Sequence, residues 1–269
     1  MPATRLTQGR ESRHSMSSMA ADFRTALVIG ASSGIGAAVA RALAAEGTRV
    51  ALVARRADAL RDEAAAIAAA TGEPGRALVY PHDVRDADDV PALFQRICRE
   101  LGGLDLVVYS AGVMPRIAPD EFAFAKDRDV IDVNLLGALA WLNEAAVRFG
   151  RGGAGTIVGI SSAAGDRGRR GYPAYCASKA ALDTYLEALR NRLAVRGVRV
   201  VTVKPGPIDT PMTRGMERLP LLAPVDVAAR QVIAAARRGA RVAYVPRRWR
   251  PIMAVVRRIP SAIFERLDI

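Results

Sequence analysis

The chain has 269 residues, 51% of them hydrophobic and 25% charged, with 23 Gly and 15 Pro, which excludes a disordered or collagen-like chain and allows a substantial core. Two cysteines, Cys98 and Cys176, and two histidines, His14 and His82, give no basis for a disulfide framework or a zinc site, so no metal is assigned. The net charge of +12 is concentrated at the ends, with +2 in residues 1–24, +7 in residues 237–269 and only +3 between them, so the body lacks the basic, aromatic-interleaved face that a nucleic-acid partner would require.

Residues 1–24 are rich in Ser, Thr and Arg without apolar periodicity, and read as a disordered leader. From Thr25 the pattern changes. β-rich runs fall at Ala26–Ile29, Arg49–Ala54, Arg76–Tyr80, Leu104–Tyr109, Gly155–Ile160, Arg199–Val203 and Arg241–Val245. Helix-forming stretches such as Ile35–Glu46, Ala57–Ala70 and Ala87–Leu101 lie between them. This alternation predicts a single α/β domain over 25–246: a doubly wound, Rossmann-type parallel sheet of about seven strands with helices on both faces. No apolar run approaches the roughly 20 residues of a spanning helix, and the N-terminus lacks a signal-peptide core. A cytoplasmic protein is expected.

After the first strand comes Gly30-Ala31-Ser32-Ser33-Gly34-Ile35-Gly36, then a helix. Three glycines at a strand-to-helix turn let the backbone approach a pyrophosphate, while the helix N-terminus supplies N–H donors. The second strand ends Val53-Ala54-Arg55-Arg56. Sites for NAD usually place an acid there. Here Arg55 and Arg56 offer a charge-assisted fork to a 2′-phosphate, which points to NADP. Asp83, followed by Val84 at the end of the third strand, is placed to accept from an adenine amino group.

In Tyr175-Cys176-Ala177-Ser178-Lys179 the phenol and the ammonium fall at i and i+4 of a helix and share a face. A nearby cation is expected to lower the phenol pKa from about 10, suiting it to acid–base work. Thirteen residues upstream, Ser162 follows a predicted strand at the ligand edge of the sheet.

Together Gly30–Gly36, Asp83, Ala111-Gly112, Asn134, Ser162, Tyr175, Lys179 and Pro205-Gly206 resemble, in order and spacing, the short-chain dehydrogenase/reductases of the NADP-preferring type, over residues 25–246. The resemblance implies Tyr175 as acid/base, Ser162 as the group polarising the substrate carbonyl, and Lys179 as holding the nicotinamide ribose and lowering the Tyr175 pKa. It implies Asn134 as holding a water in a proton relay, and Ile208 and Thr210 as meeting the carboxamide beside Pro205 and Gly206. It matches Arg55 to the arginine of NADP-preferring members and Asp83 to the adenine contact, and it implies a homodimer or homotetramer. Two departures stand out. The usual Asn-Asn-Ala-Gly reads Tyr109-Ser110-Ala111-Gly112, which removes a side-chain tie between central strands, and the last strand ends without the common Val-Asp-Gly-Gly. The second departure and the apolar stretch Thr210–Pro224 point to a lipophilic carbonyl or alcohol as substrate.

Residues 247–269 form a basic amphipathic tail. Trp249, Ile252, Met253, Val256, Ile259, Ile263, Phe264 and Leu267 fall at helical spacing, interrupted by Pro251 and Pro260. Such a stripe either packs on the substrate cleft or a partner subunit, or lies peripherally on anionic lipid, and the sequence leaves both open. The reading is an NADP(H)-dependent oxidoreductase acting on a carbonyl or secondary alcohol; its rival is a catalytically idle NADP-binding sensor or scaffold, which would not need Asn134, Ser162, Tyr175 and Lys179 together.

Overall fold

The structure, a computed structural model, describes residues 23–118, 120–216 and 219–267. The leader expected over 1–24 lies outside them except for its last two residues. Phe23 is buried in the core, and Thr48 donates its hydroxyl to the Phe23 carbonyl at 2.8 Å. Ordered packing therefore begins ahead of Thr25.

Seven strands form one sheet: β1 (Thr25–Ile29), β2 (Arg49–Ala54), β3 (Ala77–Pro81), β4 (Leu106–Tyr109), β5 (Thr156–Ile160), β6 (Arg199–Pro205) and β7 (Val242–Val245). Their order is β3-β2-β1-β4-β5-β6-β7, and every neighbouring pair is parallel. The central strands read as continuous apolar runs because helices cover both faces. Alternate residues divide between the two covers: Val28, Leu52 and Val158 face one core, Leu27, Val53 and Ile157 the other.

The first core is closed by α1 (Gly34–Ala45), α2 (Ala57–Thr71) and α7 (Val225–Arg237). The second is closed by α3 (Val90–Leu101), α5 (Gly137–Gly152) and α6 (Pro173–Leu193). Between α4 (Phe124–Ile131) and α5 lies one π-helical turn, Asp132–Leu136. This helical run is long and apolar enough by length and composition to cross a membrane, but Trp141, Leu142, Ala145 and Phe149 bury one face of it in the second core. Each strand except β7 ends towards loops that carry residues singled out above. The chain order reverses between β1 and β4, where a doubly wound sheet opens its ligand crevice.

Beyond β7 the tail forms α8 (Trp249–Val256) and a short α9 (Ser261–Phe264). Trp249 and Met253 are buried against Ala163 and Tyr244, with Ile252 and Val256 packed alongside. The inner half of the expected stripe is thus buried in its own protein. Val255 and Ile263 remain exposed.

Candidate active site

A crevice of about 390 Å³ opens at the carboxyl ends of the strands. Its floor is the turn from β1 into α1. Gly30 (φ 87°) and Gly34 (φ 58°) hold the left-handed backbone that this turn requires. A Cβ at Gly30 would strike the backbone of Ala111, so β1 and the β4 loop approach as closely as glycine permits. Gly36 does not reach the crevice. A Cβ there would collide with the Gly30 carbonyl, so its role is close helix-to-strand packing rather than ligand contact. Ser33 precedes α1 without capping it through its side chain, which leaves the helix N-terminal N–H groups facing the opening.

The two arginines after β2 part company. Arg56 donates to the Ser32 hydroxyl at 3.0 Å and to the Ser33 hydroxyl at 3.1 Å, directly over the glycine turn. Arg55, the residue matched to the family's arginine, instead leans towards Asp83 at 3.7 Å. The Asp83 carboxylate is also forked by Arg85 at 2.6–3.2 Å. The Arg85 hydrogen bonds, followed by the charges of Arg85 and Arg55, hold the Asp83 carboxyl below the usual carboxylate range despite some burial. Val84 lines the same end.

At the other end, Ser162, Tyr175 and Lys179 converge on the crevice, with Ala111, Gly112, Pro205, Gly206, Ile208 and Thr210 around them. Ser162 caps the turn after β5, its hydroxyl accepting from the Ala164 N–H at 3.1 Å. Tyr175 and Lys179 lie one turn apart on α6, the Lys179 Nζ standing 5.7 Å from the Tyr175 ring centre. Lys179 is 4% exposed and donates to the Ile160 carbonyl at 3.0 Å. The expected lowering of the phenol is not found in the free protein. Burial pushes Tyr175 above its ordinary value, and the Ser162 hydrogen bond and the Arg169 charge offset this only in part. Burial also acts on Lys179, and its ammonium is pushed down to about 8 although Asp183 works in the opposite direction.

Asn134 is fully buried behind the crevice wall rather than on it. Its Oδ1 accepts from the Val113 N–H at 2.7 Å; its Nδ2 donates to the Val113 carbonyl at 3.0 Å and the Ser178 hydroxyl at 3.1 Å. The side chain therefore clamps the loop after β4, and a Cβ at Gly112 would come within 3.3 Å of its Oδ1. Tyr109, at the first position of the altered motif, ties β4 to a helical turn and not to a neighbouring strand. Tyr109 is buried and donates to the Val133 carbonyl at 2.6 Å, joining β4 to the π-helical turn.

Further residues complete the wall, of which Arg169, Tyr172 and Thr213 were not singled out in the sequence. Trp249 comes from the tail and packs on Gly206, where any Cβ would strike its indole. Arg169 and Tyr172 come from the segment between Ser162 and α6. Thr213 holds the loop after β6, donating to the Ile208 carbonyl at 2.7 Å and accepting from the Thr210 N–H at 3.1 Å. Of the apolar stretch 210–224, Met212, Met216 and Leu219 reach the wall, while Leu221 and Leu222 are exposed. Behind the site Lys204, on β6, contacts Asp166 at 2.5 Å and Asp183 at 2.8 Å, and Tyr244 donates to Asp166 at 2.6 Å.

The glycine cradle and the free helix N-terminus fit a nicotinamide dinucleotide, and the chain's similarities agree. The short chain dehydrogenase family model matches residues 24–219. The cis-4-hydroxycyclohexanecarboxylate dehydrogenase of Sinomonas cyclohexanicum is 39% identical over 214 residues, 78% of this chain and 82% of that protein. A short-chain type dehydrogenase/reductase from Mycobacterium ulcerans superposes with a TM-score of 0.76 at 30% identity, covering 84% of this chain and 90% of that one. An actinorhodin polyketide ketoreductase solved with NADPH gives 0.66 at 34% identity, covering 71% and 68%. The chain belongs to the short-chain dehydrogenase/reductase family and is an oxidoreductase acting on CH–OH or C=O groups.

Proposed function

We propose that this protein is an NADP(H)-dependent oxidoreductase moving a hydride between nicotinamide and a carbonyl or secondary alcohol on a lipophilic small molecule. The observation that carries the reading is the convergence of Ser162, Tyr175 and Lys179 on one crevice, whose outer wall is apolar. When bound, the nicotinamide cofactor supplies or accepts the hydride. The side chains do the rest. Ser162 donates to the carbonyl oxygen and stabilises the charge that grows there. Tyr175, held neutral by burial, delivers its phenolic proton to that oxygen in reduction and takes it back in oxidation. Lys179, fixed by the Ile160 carbonyl, places a positive charge beneath the phenol and offers its remaining hydrogens to the cofactor ribose. Asn134 keeps the Val113 loop in register with α6 through Ser178.

The preference for NADP rests on Arg56 standing over Ser32 and Ser33 and on Ala54 where an acid would repel a 2′-phosphate. A lipophilic substrate is supported by Met212, Met216, Leu219 and Trp249 on the wall. The relative named for a cyclohexane ring alcohol is consistent with this. The test is oxidation of NADPH and NADH by the purified protein with a panel of cyclic and aryl ketones. Turnover with NADPH and apolar ketones is expected. Tight NADPH binding with no turnover on any ketone would instead mark a cofactor-binding sensor.

A further inference from the structure

Among the arginines of the crevice wall, Arg55 faces Asp83 and Arg56 rests on the serine hydroxyls. Arg169 stands apart. It lines the crevice beside Tyr172 and Tyr175, and among the described residues its guanidinium has no ion pair. Among the described residues the only acid on the wall is Asp83, at the β2–β3 end. Among the described residues, the substrate half therefore combines an apolar wall with Arg169, an arginine that no carboxylate pairs.

Arg169 is also held in place. Arg167 donates to the Val256 carbonyl at 3.2 Å and to the Ile259 carbonyl, and its guanidinium lies 4.2 Å from the Phe264 ring centre. Arg170 donates to the Glu265 carbonyl. The tail's carbonyls thus take up the side chains of Arg167 and Arg170, on either side of Arg169, while Arg169 itself lines the crevice. Arg169 and Tyr175 line the same crevice, and the Arg169 charge acts on the phenol, favouring its ionised form. A guanidinium matches a carboxylate with two parallel hydrogen bonds, and it gains strength in a partly desolvated cleft.

We propose that Arg169 anchors a carboxylate on the substrate. The molecule turned over is then a keto acid or hydroxy acid with an apolar body, its carbonyl or hydroxyl at Ser162 and Tyr175 and its carboxylate at Arg169. This rests on the oxidoreductase reading above for the reacting end, and on Arg169 alone for the anionic end.

The test pairs 4-oxocyclohexanecarboxylate and 4-acetylbenzoate with their methyl esters, using NADPH and wild type, Arg169→Met and Arg169→Lys. Wild type is expected to favour each acid over its ester by tenfold or more in kcat/KM, chiefly through KM. Arg169→Met should remove that margin, its loss on the acid exceeding any change on the ester by tenfold or more, with Tm unchanged, and Arg169→Lys should restore part of it. Equal kcat/KM for acid and ester in wild type, or a loss in Arg169→Met that falls alike on both, would overturn the proposal. Calorimetric binding of cyclohexanecarboxylate to the NADP⁺-loaded protein separates the two levels of inference. If no ketone is turned over but carboxylate binding is at least tenfold weaker in Arg169→Met, the anchor stands and the oxidoreductase reading fails. If ketones are turned over and carboxylate binding ignores Arg169, the reverse holds.

Discussion

Tyr109 on β4 donates its hydroxyl to the main-chain carbonyl of Val133 at 2.6 Å, and both residues are buried. The π-helical turn at Asp132–Leu136 breaks the regular α-helical ladder, and the phenol satisfies one of its carbonyls. Gly137 makes the room, since a Cβ there would lie 2.8 Å from the Tyr109 hydroxyl. The tie positions Asn134, the next residue, from the sheet side. Tyr109→Phe keeps the ring but strands a buried carbonyl, which costs about 1–3 kcal/mol. Urea denaturation should show that loss. A variant as stable as wild type would mean that the hydrogen bond contributes nothing.

The strand rhythm was legible because each strand is a short apolar run between helix-forming stretches, and a parallel sheet requires both. Ser162, Tyr175 and Lys179 were legible because their spacing is tied to one strand end and one helix face. Tyr109 was not, because its partner is 24 residues away and only the folded chain brings the turn beneath β4. Arg55 and Arg56 are adjacent and chemically identical, so only the start of α2 decides which one turns over Ser32 and Ser33. Trp249 was legible as part of the tail's apolar stripe, but the surface it covers was not, and Arg169 shows no spacing signal; tertiary packing alone brings both to the crevice.

Cofactor choice should follow the side chains rather than the sequence match. Arg56→Ala should remove more of the kcat/KM margin for NADPH over NADH than Arg55→Ala does, because Arg56 is already seated over the serines while Arg55 faces Asp83. A lost bidentate or charge-assisted contact of about 1.5–3 kcal/mol corresponds to a margin of tenfold or more. Equal effects of the two variants would move the 2′-phosphate site to the pair as a whole.

The pH dependence of reduction should be governed by Lys179 on its alkaline side. Burial keeps the Tyr175 phenol protonated beyond its ordinary range, so loss of the phenolic proton does not set that limb. The Lys179 ammonium is pushed down to about 8, and its charge disappears as pH rises through that value. The kcat/KM for ketone reduction is expected to fall above about pH 8. Asp183 raises the Lys179 value, so Asp183→Asn should move the limb to lower pH. A limb that stays in place would remove Lys179 as its source.

Lys204 is expected to matter for stability more than for chemistry. Its ammonium, 10% exposed, lies between Asp166 and Asp183, and the Asp166 side chain is only 2% exposed. Lys204→Met would leave two carboxylates facing each other without a cation, and breaking a buried pair in this way costs about 3–5 kcal/mol. Urea denaturation should show a loss of unfolding free energy of that size. Since Asp166 follows Ser162 on the same turn and Asp183 follows Lys179 on α6, kcat should fall with it at temperatures where the variant is still folded.

The tail is expected to act as part of the crevice. Trp249 and Met253 are buried on Ala163 and Tyr244, and Arg167 and Arg170 grip its carbonyls. None of the seven strands lies beyond Val245, so a protein ending at residue 246 should still fold. It loses the indole that covers Gly206, however, and truncating a buried tryptophan costs about 3–5 kcal/mol. The truncated protein should therefore melt at lower temperature and show a raised KM for apolar ketones. Full-length protein should not co-sediment with anionic vesicles in a salt-dependent manner, because the inner half of the stripe, Trp249, Ile252, Met253 and Val256, is already packed against protein. Exposed arginine–headgroup attraction is screened over about 10 Å at 0.1 M salt, so a salt series distinguishes the cases. Salt-sensitive vesicle binding together with an unchanged KM after truncation would show that the tail leaves the crevice for the membrane.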